Sequence, residues 1–226
     1  MRKKTTDAII LAAGSGNRFN QNLPKQFTKI SKVNLIEISI RKILRIKSIR
    51  NVYITINQKH KKFLKGLKKK INFIEGGKTR TISVFRSLEF IKNLPDPPDN
   101  ILIHDSARPC VSDIDLKNIM SASNSSISGI ALGYPLTHAL KLVNKNNNIT
   151  NNIKKKNLWL AFTPQLFDFI KIYKSYKKAI TKKIEVDDDS QAMSLLSYKV
   201  RLIFSSYRNI KVTYLDDFSV VKDLLR

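Results

Sequence analysis

The stretch "AIILAAGSGNRFNQNLPKQF", Ala8 to Phe27, decides how the rest of the chain is read. Its first letters are a short, continuous apolar run, the pattern of a strand buried on both faces. Gly14 and Gly16 then let the backbone turn sharply and present N–H groups to a ligand. The dinucleotide fingerprint needs a third glycine opening a helix, and Arg18 and Phe19 stand here instead. The Gly-Lys-Ser/Thr ending of a Walker loop is absent too. What the stretch adds is Arg18 and, after Pro24, Lys25. Two cations on one glycine loop suit a triphosphate whose α-phosphorus is under attack, because negative charge gathers there in the transition state. A surface turn with incidental basic residues is the plainer reading of the same letters.

Outward from this loop, apolar runs alternate with amphipathic stretches. "VYITI" (52–56), "INFIE" (71–75), "NILIH" (100–104) and "SGIALGYP" (128–135) read as strands. "LIEISIRKILRI" (35–46) and "TRTISVFRSLEFI" (79–91) have helical spacing, a lysine-rich helix is expected before residue 71, and another helix follows from about Asp113. This order predicts an α/β fold, Rossmann-like, with a mostly parallel sheet and helices on both faces. Ligands of such sheets lie at the carboxyl ends of the strands. The loops after Ala13, Glu75 and His104 are therefore the places for a site. Thr137 to Asn157 breaks the rhythm: it is polar and turn-rich around the alternating "HALKLV", and reads as a hairpin arm leaving the body. Beyond it the chain reads as a helix from about Pro164, an acidic knot "EVDDDS" (185–190), a strand "KVRLIF" (199–204) and a last helix from about Asp216.

The 226 residues make one domain, 1–226, with 137–157 as its arm, and 42% hydrophobic residues suffice for a core. Neither a bilayer-spanning apolar run nor a signal-peptide cleavage pattern is present. The single Cys110 excludes an internal disulfide, and a cytoplasmic setting is expected. The formal net charge of +25 is the unusual number. Such a balance can mark a nucleic-acid binder, but the lysines are spread along the chain and not gathered beside aromatics as a stacking platform would need. A positive field still draws in a small polyanionic substrate.

Further motifs stand in series with the glycine loop: "EGGKTRTISV" (75–84), "HDSARPCVS" (104–112), "FTPQLF" (162–167), "YRNIKVT" (207–213) and the acidic "VDDDS". Together they resemble the polyol-phosphate cytidylyltransferases, and among them the 2-C-methyl-D-erythritol 4-phosphate cytidylyltransferase family of isoprenoid biosynthesis. The resemblance implies CTP and a polyol phosphate as substrates, a CDP-alcohol and pyrophosphate as products, Mg²⁺ as cofactor, and a homodimer whose arms cross between subunits. It also implies roles. Arg18 and Lys25 stabilise the transition state at the α-phosphate, and Lys211 bridges that phosphate and the incoming one. Ala12, Ala13, Gly14, Ser15 and Gly16 supply backbone contacts to the nucleotide. Gly77 and Ser83 read the cytosine, though Ser83 alone would pass for an ordinary helical serine. Asp105, next to the strand "NILIH", is the carboxylate for the metal or for orienting substrate. Ser106 and Ala107 line the ribose. Arg108 contacts the second substrate or is a structural tie, and Asp188 contacts substrate hydroxyls or is an acid at a helix N-terminus. Cys110 and His104 are expected to be structural and His60 solvated.

The departures from the family pattern gather in the arm and the acidic knot. His138 and Ala139 occupy the positions of an Asp-Thr pair. Lys155, or Lys156 with a register slip of one, replaces an arginine on the catalytic side, keeping its charge but not its bidentate fork. Lys78 replaces an acid, Asp187 a threonine, and Ser205 a position often glycine. Two readings follow. In the first, His138 and the lysines hold the phosphate of 2-C-methyl-D-erythritol 4-phosphate by other means. In the second, the chain serves another polyol phosphate such as ribitol 5-phosphate; the Arg18-to-Lys25 spacing favours the first. A basic nucleic-acid-binding protein on an old fold is the alternative of a different class.

Overall fold

The structure, a computed structural model, is described for residues 4–14, 24–64, 71–122 and 127–226. Along the chain lie β1 (Thr6–Leu11), the short ladder β2 (Lys29–Ile30) and β3 (Val33–Asn34), α1 (Leu35–Leu44), β4 (Ile49–Ile56), β5 (Ile71–Glu75), α2 (Arg80–Lys92) and β6 (Asn100–Asp105). Next come α3 (Asp113–Ser121), β7 (Gly129–Pro135), β8 (Leu140–Val143), β9 (Ile149–Ile153), β10 (Trp159–Asp168), α4 (Phe169–Thr181), α5 (Asp189–Ser194), β11 (Val200–Phe204) and α6 (Leu215–Leu224).

The main sheet has seven strands in the order β11-β7-β10-β6-β1-β4-β5. All neighbours pair in parallel except β10, which runs antiparallel to both β6 and β7. The expected mostly parallel α/β sheet is what forms. Successive side chains of a strand point to opposite faces, so β1 feeds two cores at once. Ala8 and Ile10 pack with Ile36, Ile40 and Ile43 of α1 and Leu116 and Ile119 of α3. Ile9 points the other way, to Val84 and Leu88 of α2 and Phe169 and Ile172 of α4. Each fully buried isoleucine contributes about 1.5–3 kcal/mol, and both faces of the central strands are covered. A third small cluster seats Val221 of α6 against Ile30, Leu35 and Val212, with Cys110 packed beside it.

Four expectations change. Pro164 does not begin a helix: β10 continues through a cis Thr163–Pro164 bond to Asp168, whose carboxylate caps α4 by accepting from the Lys171 amide. Gln165, Leu166 and Phe167 pair with both β6 and β7, and this burial overrides the proline as a helix-start signal. The lysine-rich helix is a 3-10 helix over Gln58–Leu64 within the described residues. His60 is half-buried, its ring 5.0 Å from that of Phe27. The strand at 128–135 begins at Gly129. The arm forms as read: β8 and β9 make a separate antiparallel ladder with every strand residue exposed.

Candidate active site

At the carboxyl ends of β1, β5 and β6, the parallel strands open onto a cavity of about 560 Å³. The three loops named from the sequence supply much of its wall: Ala12 to Gly14, Gly77 to Arg80, and Asp105 to Ala107. Ser15, Gly16 and Arg18 lie outside the described residues.

The glycine loop is held from below. Gln26 Nε2 donates to the carbonyl oxygens of Ala12 at 2.7 Å and Gly14 at 2.9 Å. Its neighbours complete the anchor, Phe27 buried in the core and Lys25 on the cavity wall. A short 3-10 turn over Lys25–Phe27 thus places one residue on the cavity wall, one at the loop and one in the interior. The β6 loop is stitched to the same strand end. The Ser106 hydroxyl donates to Leu11 O at 2.6 Å, and the Ser39 hydroxyl to Ser106 O at 2.9 Å. Ser106 therefore lines the cavity with its hydroxyl hydrogen already committed.

On the wall formed by the Gly77–Arg80 loop, Thr79 caps α2 by accepting from the Ile82 amide. The Ser83 hydroxyl accepts from the Gly77 amide at 3.0 Å and donates to Thr79 O at 2.8 Å. Gly76 is required there, since a Cβ on it would stand 2.2 Å from that of Ala13. This close approach locks the two loops together.

Asp105 is the sole carboxylate among the described lining residues, against Lys25, Lys78, Arg80 and Lys211. Lys211 Nζ lies 2.7 Å from its Oδ2 and Arg80 Nε 3.6 Å from its Oδ1. Burial alone would raise the Asp105 pKa; Lys211, then Arg80 and Arg108, outweigh it and hold the carboxyl well below the usual range. The Thr163 hydroxyl accepts from the Asp105 amide at 3.0 Å and lies 3.2 Å from His104 Nδ1, which makes His104 structural as expected.

Some sequence candidates stand elsewhere. Arg108 is outside the lining: its Nη1 donates to Asn209 O at 2.7 Å and its guanidinium stacks 4.9 Å from the Phe162 ring. With Val212 N–H donating to Ala107 O, it ties the Lys211 loop to the Asp105 loop. Asp188 caps α5, accepting from the Gln191 amide at 2.8 Å and from Gln165 Nε2 at 2.9 Å. His138 is exposed on the arm, and Lys155 donates to Thr137 O at 2.7 Å, closing the base of the arm and not the cavity. Two lining residues that bind the cavity walls together, Gln26 and Arg80, were not singled out from the sequence. The only signal for either was its place inside a quoted motif.

A cationic, glycine-lined cavity at the carboxyl edge of a parallel sheet has the charge and backbone to suit a polyphosphate, and the chain falls in the class of Rossmann-like nucleotidyltransferases. The family model for 2-C-methyl-D-erythritol 4-phosphate cytidylyltransferase (IspD) matches residues 6–226, and the chain belongs to that family. A protein of that name from Wigglesworthia glossinidia brevipalpis is 38% identical over 215 residues, 93% of this chain and 91% of the relative. Another, from Buchnera aphidicola subsp. Acyrthosiphon pisum, is 33% identical over 97% of this chain and 92% of its own length. The crystal structure of the Francisella tularensis 2-C-methyl-D-erythritol 4-phosphate cytidylyltransferase superposes with a TM-score of 0.86 at 25% identity, covering 97% of this chain and 99% of that one. No helix among the described residues is long and apolar enough to cross a membrane.

Proposed function

We propose that this chain transfers the cytidylyl group of CTP to 2-C-methyl-D-erythritol 4-phosphate, releasing pyrophosphate, as a step of non-mevalonate isoprenoid biosynthesis. The observation that carries the reading is the Lys211–Asp105 pair on the wall of a cavity that Lys25 also lines, in a chain of this family. A phosphate oxygen of the polyol phosphate attacks the α-phosphorus in line. The bond to the bridging oxygen of the β-phosphate breaks, and pyrophosphate leaves with that electron pair. No covalent nucleophile is needed, so positioning and charge neutralisation are the enzyme's contribution. Lys25, with Arg18, meets the charge growing on the α-phosphate, and Lys211 lies between it and the incoming phosphate. Gly77 and Ser83 take the base, Ala12 to Gly16 supply backbone contacts to the nucleotide, and Ala107 lines the ribose.

The donor set fits Mg²⁺ in one way. Among the described residues no group of three or more potential protein ligands occurs, and Asp105 is the lone carboxylate in the cavity. Asp105 would hold Mg²⁺ as its one protein ligand, in line with the preference of that ion for few carboxylates and several phosphate or water oxygens. When bound, it supplies neutralisation of phosphate charge. The arm is the natural place for a homodimer contact, because Leu142 and Ile149 lie 54% and 62% exposed on a hairpin with no core of its own. In a homodimer, His138 and Lys155 would serve a partner's polyol phosphate. A cytoplasmic setting agrees with the lone Cys110, packed inside with its thiol pushed up to about 11 by burial.

Lys25→Ala tests the reaction. Turnover falls by on the order of a hundredfold or more, as loss of a transition-state donor does; near-normal pyrophosphate release would remove Lys25 from the mechanism.

A further inference from the structure

One acid of the knot, Asp189, is turned inside the fold, while Glu185 and Asp187 stay exposed. Asp189 is fully buried, and its two carboxylate oxygens accept from Arg80 Nη1 at 2.9 Å and Nη2 at 2.7 Å. The Tyr176 hydroxyl donates to the same carboxylate at 2.6 Å and accepts from Arg80 Nη1 at 3.2 Å. The neighbours of Arg80 are bound to the knot too. The Thr79 hydroxyl donates to Glu185 at 2.9 Å, and the Val186 amide to the Thr81 hydroxyl at 3.1 Å. With its fork fixed, the remaining edge of Arg80 faces Asp105 at 3.6 Å. Burial would lower the Arg80 pKa, but Asp189 foremost, then Tyr176 and Asp105, hold it well above the ordinary value.

Asp105 therefore has two cationic partners of different mobility. The Lys211 side chain is 39% exposed on a flexible stem, whereas that of Arg80 is 22% exposed and bonded at both Nη atoms. A triphosphate entering the cavity competes with Asp105 for Lys211. Lys211 transfers readily only where positive charge stays beside the buried carboxylate, because an unpaired buried charge is strongly disfavoured, and besides any Mg²⁺ bound with the nucleotide Arg80 is the charge that the chain itself keeps there.

We propose that Arg80 is the standing counter-ion of Asp105, a positioning residue held by Asp189 and Tyr176, whose presence lets Lys211 leave Asp105 for the phosphates of a bound nucleotide. The inference rests on the reading of the cavity as a triphosphate site and adds a division of labour between its cations. The sequence resemblance singled out Asp188 of the acidic knot; here its buried neighbour Asp189 acts through Arg80.

The test uses the full chain with Arg80→Ala, Asp189→Asn and Tyr176→Phe, measuring CTP affinity by calorimetry and turnover by pyrophosphate release. Arg80→Ala should weaken CTP binding about tenfold and cut kcat by at least as much, the scale seen when supports of ligating groups are removed. Guanidinium ion at non-denaturing concentration, entering the space between Asp189 and Asp105, should restore part of both. Asp189→Asn should move both quantities the same way by a smaller factor. Tyr176→Phe loses one hydroxyl and serves if the other variants fail to fold; a drop in CTP affinity and kcat at an unchanged melting temperature supports the proposal. Wild-type values of both in all folded variants overturn it. So does a loss that lowered melting temperature accounts for and guanidinium leaves untouched. Wild-type chain that binds CTP without turnover would overturn the proposed reaction alone, with affinity still reading Arg80; wild-type chain that does not bind CTP overturns both.

Discussion

His104 shows how one residue's surroundings become a measurable property. Its ring is fully buried, and burial, only partly offset by the Asp105 carboxylate, lowers its pKa from 6.5 to about 4. Because the folded value lies below the unfolded one, the unfolded chain takes up the proton first. The contribution is complete above about pH 6.5 and is lost as pH falls toward the folded value. Between pH 7 and pH 5 this ring should cost about 2 kcal/mol of stability. Urea unfolding at the two pH values reads it as a loss in the wild type that His104→Asn does not share. Equal losses in both chains would mean that the ring is protonated in the fold. Residues were legible in the sequence where the chemistry is local. Asp105 adjoins a strand read from its own letters, and Lys211 stands in a motif with family precedent. Arg80 was not legible, because its meaning depends on Asp189, 109 residues away.

Among elements, the 3-10 turn Lys25–Phe27 is the smallest that matters to the site. Gln26 satisfies two carbonyls of the glycine loop, and the Ala12 contact is buried. Gln26→Ala strands these acceptors, so stability should drop by about 1–3 kcal/mol. The KM for CTP should rise at the same time, because the loop loses its support. A variant with the wild-type urea midpoint and KM would show that the loop holds its shape alone. The parallel strands and the helices α1 and α2 were legible because burial repeats at the expected period. The continuation of β10 past Pro164 was not, since local propensity sees the proline and cannot see the two strands flanking it. Asp188 and Arg108 were legible only as pairs of alternatives, and the bonds each makes within the chain link segments too far apart in sequence to be read locally.

For the whole molecule, two features remain outside the core: the net charge of +25 and the arm. Lys25, Lys78, Arg80 and Lys211 share one cavity with a single carboxylate, so part of the charge stands where a polyanion would enter. The arm leaves Leu140, Leu142 and Ile149 exposed on a two-stranded ladder, and such a hairpin is marginal without a partner surface. Replacing Leu142 and Ile149 together by lysine should shift sedimentation from dimer to monomer and raise the KM for the polyol phosphate more than that for CTP. A wild type that sediments as a monomer at micromolar concentration would remove the arm from assembly. His138, Ala139 and Lys155, where the family pattern has other residues, make the identity of the polyol phosphate the point on which cytidylyl transfer to 2-C-methyl-D-erythritol 4-phosphate is tested. The most direct measurement is pyrophosphate release from CTP and Mg²⁺, with 2-C-methyl-D-erythritol 4-phosphate and ribitol 5-phosphate in parallel. Turnover with the first, well above that with the second, is the expected result. Turnover with ribitol 5-phosphate alone, or with neither, would contradict it.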